Sequence, residues 1–172
     1  MDKKIYNVLF LCTDNSARSI MAESLINFWG NGQFRGFSAG SNPTGTVNPL
    51  ALELLDRLNL PVDGLRSKSW EEFVTSQAPK MDFVFTVCDN TAAETYPAWP
   101  GQPMNAHWGV PDPAAVTGDD VRRMQAFREA FRELENRIKI FTSLPIDEID
   151  SLRLQEHLDN IGINQLEEAL TD

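Results

Sequence analysis

Cys12 and Arg18 are the residues of this sequence whose types and spacing most directly suggest chemistry. Five residues separate them in the segment Cys-Thr-Asp-Asn-Ser-Ala-Arg-Ser, which follows an apolar run and precedes a helical pattern. A loop that closes into a helix N-terminus can direct several backbone N–H groups to one point, which attracts an anion. The same field favours the Cys12 thiolate, and Arg18 supplies a planar pair of donors. The spacing therefore predicts a thiol nucleophile facing a tetrahedral oxyanion.

The other loop residues have supporting roles in this prediction. Asn15 tolerates the left-handed backbone conformation that tight loops need, and the Ser19 hydroxyl can donate to the thiolate. A bare Cys-x5-Arg would more often be a buried strand-end cysteine and a surface arginine, so the prediction depends on the strand and helix at either side. The residues expected to surround the oxyanion are Thr13, Asp14, Asn15, Ser16, Ala17, Arg18 and Ser19.

Apolar runs and periodicities predict the elements that must position this loop. Strands are expected at Ile5–Cys12, Phe34–Ala39, Met81–Cys88 and, from a weaker pattern, Pro103–Trp108. Helices are expected at 17–29, at 48–58 with Asn48 as N-cap, and at 119–141. The predicted buried faces comprise Ile20, Met21, Leu25 and Phe28 in the first helix, and Val121, Met124, Phe127, Phe131, Leu134, Ile138 and Phe141 in the last. Alternating strands and helices predict an α/β sandwich with a mostly parallel sheet.

Charge and cysteine content limit the classes of partner and compartment. The net charge is −10, and residues 145–172 carry eight acids and one base, or −7 of it, which leaves −3 for residues 1–144. This balance argues against nucleic acid and anionic membranes as partners. We expect a body at 1–144 and an acidic extension at 145–172, with one or two short helices that dock on the body or on another subunit. Two cysteines without a secretion signal, and no apolar run of 18 residues, predict a cytoplasmic protein.

Several segments together resemble the low-molecular-weight protein tyrosine phosphatase superfamily and, within it, the arsenate reductases built on that fold. The segments are VLFLCTDNSARSIMAE, FSAGSNP, VNPLALELL, MDFVFTVCDNTAAETYPAWPG and AHWGVPDPA. The resemblance implies a three-layer sandwich with a four-stranded parallel sheet flanked by helices. It also implies that Cys12 is the nucleophile, Arg18 binds the oxyanion, Ser19 steadies the thiolate, Asn15 organises the loop and Asp112 is the general acid. A carboxyl at Asp112 suits the protonation of a departing oxygen.

Three positions depart from the pattern of this superfamily. Asp14 stands where glycine is common, so its side chain must point outward or weaken oxyanion binding. Ala17 stands where many of the phosphatases carry a second loop cysteine. Tyr96 stands where several thioredoxin-coupled reductases carry a third redox cysteine.

Cys88 distinguishes reduction from hydrolysis. It ends one predicted strand as Cys12 ends another, and parallel strands end at the same ligand-binding edge. Cys88 is therefore expected to be a second, redox-active thiol, although a disulfide needs Cα atoms within about 7 Å and hence movement of residues 89–97. The alternative is an inert buried cysteine.

The residues after Asp112 bear on the substrate. Pro113-Ala114-Ala115 offer no aromatic wall for a phosphotyrosine ring, which favours a small oxyanion such as arsenate, with phosphate or sulfate as mimics. Two other functions stay open, a phosphatase and a non-catalytic oxyanion or redox sensor, although a sensor needs no general acid at Asp112.

We expect no bound cofactor and no metal. Regeneration is expected to depend on an external thiol, namely glutathione with glutaredoxin, thioredoxin or mycothiol. Whether a monovalent cation supports the loop through Asn15, Glu23 and Ser38 is left open by the sequence.

Overall fold

A four-stranded, all-parallel sheet lies at the centre of this molecule. The computed structural model describes residues 4–88, Pro97 and residues 99–171, with side chains of the final helix described up to Ile163. The strands are β1 Tyr6–Leu11, β2 Phe34–Ala39, β3 Phe83–Thr86 and β4 Met104–His107, in the order β2-β1-β3-β4. The predicted α/β class with a four-stranded parallel sheet flanked by helices is confirmed. The predicted bounds are one or two residues too long at the ends of β1, β3 and β4.

The part of the chain that the structure describes contains four α-helices. They are α1 Arg18–Trp29, α2 Pro49–Arg57, α3 Asp120–Thr142 and α4 Ser151–Thr171. The Asn48 side chain accepts a hydrogen bond from the Leu50 N–H at 2.9 Å, so Asn48 is the predicted N-cap of α2. Asp119 caps α3 in the same way, through the Arg122 N–H. Single turns of 3-10 helix occupy Trp70–Phe73, Pro113–Ala115 and Ile146–Glu148.

Both faces of the sheet are covered, which explains the almost continuous apolar sequence of β1. Val8 and Phe10 point to the face that packs against α1 and α3, whereas Leu9 and Leu11 point to the opposite face. On that opposite face Leu9 and Leu11 share a smaller cluster with Phe73 and other residues. Side chains alternate across a strand, so a strand buried on both sides needs apolar residues at every position.

Two residues predicted to face the core are exposed. Phe28 is 51% exposed and packs edge-to-face on Trp29 at the surface, with ring centroids 5.3 Å apart. Val121 is 80% exposed because it lies in the first turn of α3, before the helix reaches the core at Met124. The periodicity was correct for the rest of the α3 stripe, which is buried from Met124 to Phe141.

The acidic extension docks on the body. It forms the single helix α4 after one 3-10 turn, so the prediction of one or two short helices is wrong in length. Leu154, Leu158 and Ile161 are buried in the main core, and the Trp108 indole N–H donates to the Leu158 carbonyl at 3.0 Å. The division at residue 144 stays a prediction. Among the described residues, the helices do not include one long and apolar enough to cross a membrane.

Candidate active site

The loop between β1 and α1 turns its carbonyl groups outward. The carbonyls of Thr13, Asp14 and Ser16 accept hydrogen bonds from the backbone N–H groups of Asn42, Thr44 and Asn48, at 2.9, 3.1 and 2.8 Å. In a trans peptide the following N–H points the opposite way from the carbonyl. These peptides therefore direct N–H groups to the other side of the loop, where α1 begins without a side-chain cap from the described residues. This arrangement supports an anion site, which remains a prediction.

Asn15 fixes the shape of the loop from within. It is fully buried and has a left-handed backbone with a φ of 47°. Its side-chain oxygen accepts a hydrogen bond from the Lys68 N–H at 2.9 Å, and its side-chain nitrogen donates to the Ser19 hydroxyl at 2.8 Å. Asparagine is one of the few residues that adopts this backbone conformation readily. These contacts support the organising role expected of Asn15, which stays a prediction.

Cys12 and Cys88 lie side by side at the carboxyl edge of the sheet. Both are reduced and buried, and they follow strands that pair in register at Leu11 and Thr86. The Thr13 N–H donates to the Cys88 sulfur at 3.4 Å. The structure therefore brings together the two thiols that the sequence placed at neighbouring strand ends.

Several neighbouring groups affect the pKa of the Cys12 thiol. A hydrogen bond with Cys88 and burial raise the pKa of the Cys12 thiol, and they outweigh the nearby Arg18 charge, which lowers it. Two neighbouring buried sulfurs cannot both ionise easily, because each thiolate repels the other. Burial and Cys88 therefore disfavour the thiolate form of Cys12 in this arrangement, whereas Arg18 favours it.

Arg18 connects the loop to the segment that carries Asp112. One of its terminal nitrogens donates to the Val110 carbonyl at 3.0 Å, and the other lies 3.8 Å from an Asp112 carboxylate oxygen. The Asp112 side chain also accepts a hydrogen bond from the Ala114 N–H at 3.0 Å. Asp112 therefore caps the turn Pro113–Ala115 and also faces the loop, and its side chain is 39% exposed.

Asp14 points inward rather than away from the loop. One carboxylate oxygen lies 3.6 Å from the Cys12 sulfur, and the other accepts a hydrogen bond from the Ser16 hydroxyl at 3.1 Å. Of the two alternatives that the sequence left, an outward side chain or weakened oxyanion binding, the outward side chain is not observed. A carboxylate thus lies beside the Cys12 sulfur.

Arg137 is a buried residue near the site that the sequence did not single out. It is 1% exposed, and one terminal nitrogen donates to the carbonyls of Trp108 and Gly109 at 2.6 and 2.9 Å. Burial lowers its pKa from the ordinary value. Because Val110 comes directly after Gly109 and Asp112 comes two residues later, Arg137 fixes the start of the segment that contacts Arg18. The sequence feature that could have identified Arg137 is its position as a charged residue within the apolar stripe of α3.

Lys68 is a second such residue. Its ammonium group lies beside two of the residues that the sequence suggested as ligands of a monovalent cation. It is 2.8 Å from the Ser38 carbonyl and 3.8 Å from the Glu23 carboxylate. The Ser38 hydroxyl donates to the same carboxylate at 2.6 Å. Burial raises the pKa of Glu23 and lowers that of Lys68, so their attraction does not fully offset desolvation. Nothing in the sequence pattern indicated this pair.

Tyr96 and most of the segment 89–97 lie outside the described residues. Across 4–88, Pro97 and 99–171, three or more His, Cys, Asp or Glu side chains do not come together as metal ligands would. Ala17 is buried at the start of α1, and Ala114 and Ala115 are exposed beside Asp112.

Comparison with known proteins places this geometry among related chains. The family model described as low molecular weight phosphotyrosine protein phosphatase matches residues 7–151, so the match ends at the first residue of α4. The arsenate reductase of Halalkalibacterium halodurans is 34% identical over 141 residues, which cover 82% of this chain and 96% of the relative. The arsenate reductase of Bacillus subtilis is 31% identical with the same coverage. The crystal structure of an arsenate reductase from Archaeoglobus fulgidus superposes with a TM-score of 0.65 and 26% identity, covering 80% of this chain and 99% of that one.

Proposed function

We propose that this chain, which belongs to the low molecular weight phosphotyrosine protein phosphatase family, is an arsenate reductase that converts arsenate to arsenite with electrons from thiols. The observation that carries the proposal is the pair of reduced cysteines, Cys12 and Cys88, at adjacent ends of β1 and β3 beside Arg18. Hydrolysis of a phosphate ester needs one nucleophilic cysteine, whereas internal reduction of arsenate needs two. The names of relatives that share 31–34% of their residues with this chain point the same way.

In the first step Cys12 acts as the nucleophile. The Cys12 thiolate attacks the arsenic of an arsenate ion held by the loop N–H groups and Arg18, so that a sulfur–arsenic bond forms and an arsenic–oxygen bond breaks. Asp112 protonates the departing oxygen, which leaves as water or hydroxide. The Val110 carbonyl orients Arg18 towards this segment, at 3.0 Å. The attack requires Cys12 to lose its proton, because burial and Cys88 raise its pKa.

In the second step Cys88 acts as the resolving thiol. The Cys88 thiolate attacks the Cys12 sulfur, a sulfur–sulfur bond forms, and the sulfur–arsenic bond breaks with its electron pair remaining on arsenic. Arsenic is thereby reduced from the +5 to the +3 state and leaves as arsenite, while the two thiols are oxidised to one disulfide. The hydrogen bond from the Thr13 N–H to the Cys88 sulfur holds this thiol next to the loop.

The disulfide must then be reduced from outside the chain. Cys12 and Cys88 are the only cysteines in the sequence, so no further internal thiol can receive the oxidation. Glutathione with glutaredoxin, thioredoxin or mycothiol would supply the electrons, without a bound cofactor. This requirement fits a reducing compartment such as the cytoplasm.

The entrance to the loop favours a small substrate over phosphotyrosine. The exposed residues after Asp112 are Ala114 and Ala115, which provide no ring surface against which a tyrosine side chain could stack. A phosphatase function therefore has less support from the described residues, and it is kept as an outcome of the test below.

Steady-state arsenate reduction tests the proposal. Arsenite formation is measured with glutathione plus glutaredoxin, with thioredoxin and with mycothiol in turn, beside hydrolysis of p-nitrophenyl phosphate by the same preparation. We expect at least one thiol donor to support turnover that is lost in Cys12→Ser. The proposal is wrong if no donor supports arsenite formation while the aryl phosphate is hydrolysed rapidly.

A further inference from the structure

Asp14 brings a second carboxylate into the site, in a position that the proposed chemistry does not use. Its Oδ1 lies 3.6 Å from the Cys12 sulfur and its Oδ2 accepts the Ser16 hydroxyl hydrogen bond at 3.1 Å. The side chain thus spans the loop from its first residue to its fifth. It is half-buried, and its own carbonyl is fixed by Thr44 and Ser67.

This carboxylate lies where the oxygens of a substrate must come. A nucleophile and the atom it attacks approach to about 3–3.5 Å before reaction, so the oxygens on a tetrahedral centre fall within roughly 3–4 Å of the attacking sulfur. The Asp14 Oδ1 atom lies within this distance of the Cys12 sulfur, and the carboxylate has the same sign of charge as the substrate. Its Oδ2 atom accepts a hydrogen bond from the Ser16 hydroxyl, as an oxyanion could. Asp14 is in this sense an internal mimic of the ligand.

We propose that Asp14 is a specificity-determining residue of the loop: its carboxylate competes with the substrate for the space over Cys12 and disfavours dianions more than monoanions. The inference rests on the proposed function of the loop as an oxyanion site. Both a steric and an electrostatic component follow from the contacts. The carboxylate must rotate away from Cys12 and Ser16 before an anion enters, and afterwards it remains tethered close to the bound charge.

The electrostatic component predicts discrimination by charge. Coulomb repulsion is proportional to the product of the charges, so a dianion meets about twice the repulsion of a monoanion at the same distance. Arg18 cannot cancel this repulsion completely, because it is also 3.8 Å from the Asp112 carboxylate. Two carboxylates and one guanidinium therefore face the loop, and removing one carboxylate cancels the local excess of negative charge.

The experiment measures anion binding without chemistry. Isothermal titration calorimetry on the full-length protein gives the Kd of inorganic sulfate, a dianion, and of perchlorate, a tetrahedral monoanion. Asp14→Asn removes the charge and nearly keeps the shape, whereas Asp14→Gly removes the side chain. Asp56→Asn is the matched control, since it makes the same charge change on the exposed face of α2, near the end of that helix remote from the loop.

We expect Asp14→Asn and Asp14→Gly to bind sulfate more tightly than the parent, by on the order of tenfold, with a smaller gain for perchlorate. Asp56→Asn should match the parent for both anions. The inference is overturned if folded Asp14→Asn binds sulfate no more tightly than the parent, or if perchlorate gains as much as sulfate. If neither the parent nor any variant binds either anion, the loop is not an oxyanion site and the proposed function itself fails.

Discussion

Replacing Arg137 by methionine tests how the segment before Asp112 is held. Methionine has a similar length and an apolar side chain, so it fills most of the space without supplying donors. The change leaves the Trp108 and Gly109 carbonyls without the guanidinium that now donates to both, at 2.6 and 2.9 Å. Those carbonyls lie at the junction of β4 and the segment that contacts Arg18.

The magnitude follows from two hydrogen bonds and one buried charge. A hydrogen bond to a charged group contributes about 1.5–3 kcal/mol. Removal of the guanidinium also relieves the cost of burying a side chain that is 1% exposed and whose Nε has no partner among the described residues. We expect a net loss in the free energy of unfolding of about 3 kcal/mol, or a fall in Tm of roughly 6–12 °C for a chain of this size.

Urea unfolding and thermal melting measure the effect, with Arg132→Met as the control. Arg132 lies on the exposed side of the same helix, so the control makes the same chemical change without losing a buried contact. A lower kcat for arsenate reduction should accompany the stability loss, because the Asp112 segment loses its anchor. A destabilisation of Arg137→Met no larger than that of the control would refute this assignment.

Three further predictions concern the loop, the buried ion pair and the C-terminal helix. Asn15→Ala should lower the free energy of unfolding by about 2–3 kcal/mol in urea, because it removes two buried hydrogen bonds at a left-handed position; an unchanged midpoint would contradict this. Burial raises the pKa of Glu23 above its ordinary value of 4.5, so its contribution to stability is present below that value and is lost as pH rises through the raised pKa. The parent should therefore lose stability relative to Glu23→Gln as the pH rises above 4.5, and parallel pH profiles would show that the pKa of Glu23 is not raised. In Gly162→Leu the added Cβ would lie 2.5 Å from the His107 carbonyl oxygen, so α4 should separate from β4. Trp108, which donates to the Leu158 carbonyl, should then show red-shifted fluorescence, and an unshifted spectrum would contradict this docking of α4.

The sequence predicts the position of the loop between β1 and α1 because the signals are local. A cysteine at a strand end, an arginine six positions later and a following helix are features of a single short segment. Placement of Cys88 also follows from local signals, since parallel strands end at one edge whatever the details of packing. Asn48 was identifiable as an N-cap for the same reason, through its own side chain and the next residue.

The features that escaped prediction depend on contacts distant in sequence. The carbonyl partners of Arg137 are 28 and 29 residues away, and Lys68 meets Ser38 over 30 residues, so no local pattern could reveal either contact. The orientation of Asp14 is set by Cys12 and Ser16 on a loop whose backbone is held by residues 42–48.

Val121 shows the limit of periodicity, which gives the face of a helix but not where along its length the core begins.

A single-turnover reaction tests the two-thiol mechanism most directly. The fully reduced protein is mixed with excess arsenate in the absence of any external thiol, and arsenite, free thiols and intact mass are measured. We predict one arsenite per chain, loss of both thiols and a mass lower by two hydrogen atoms, with peptide mapping that joins Cys12 to Cys88. Cys88→Ser should release no arsenite under these conditions. Arsenite released from Cys88→Ser, or from the parent with both thiols still free, would contradict the mechanism.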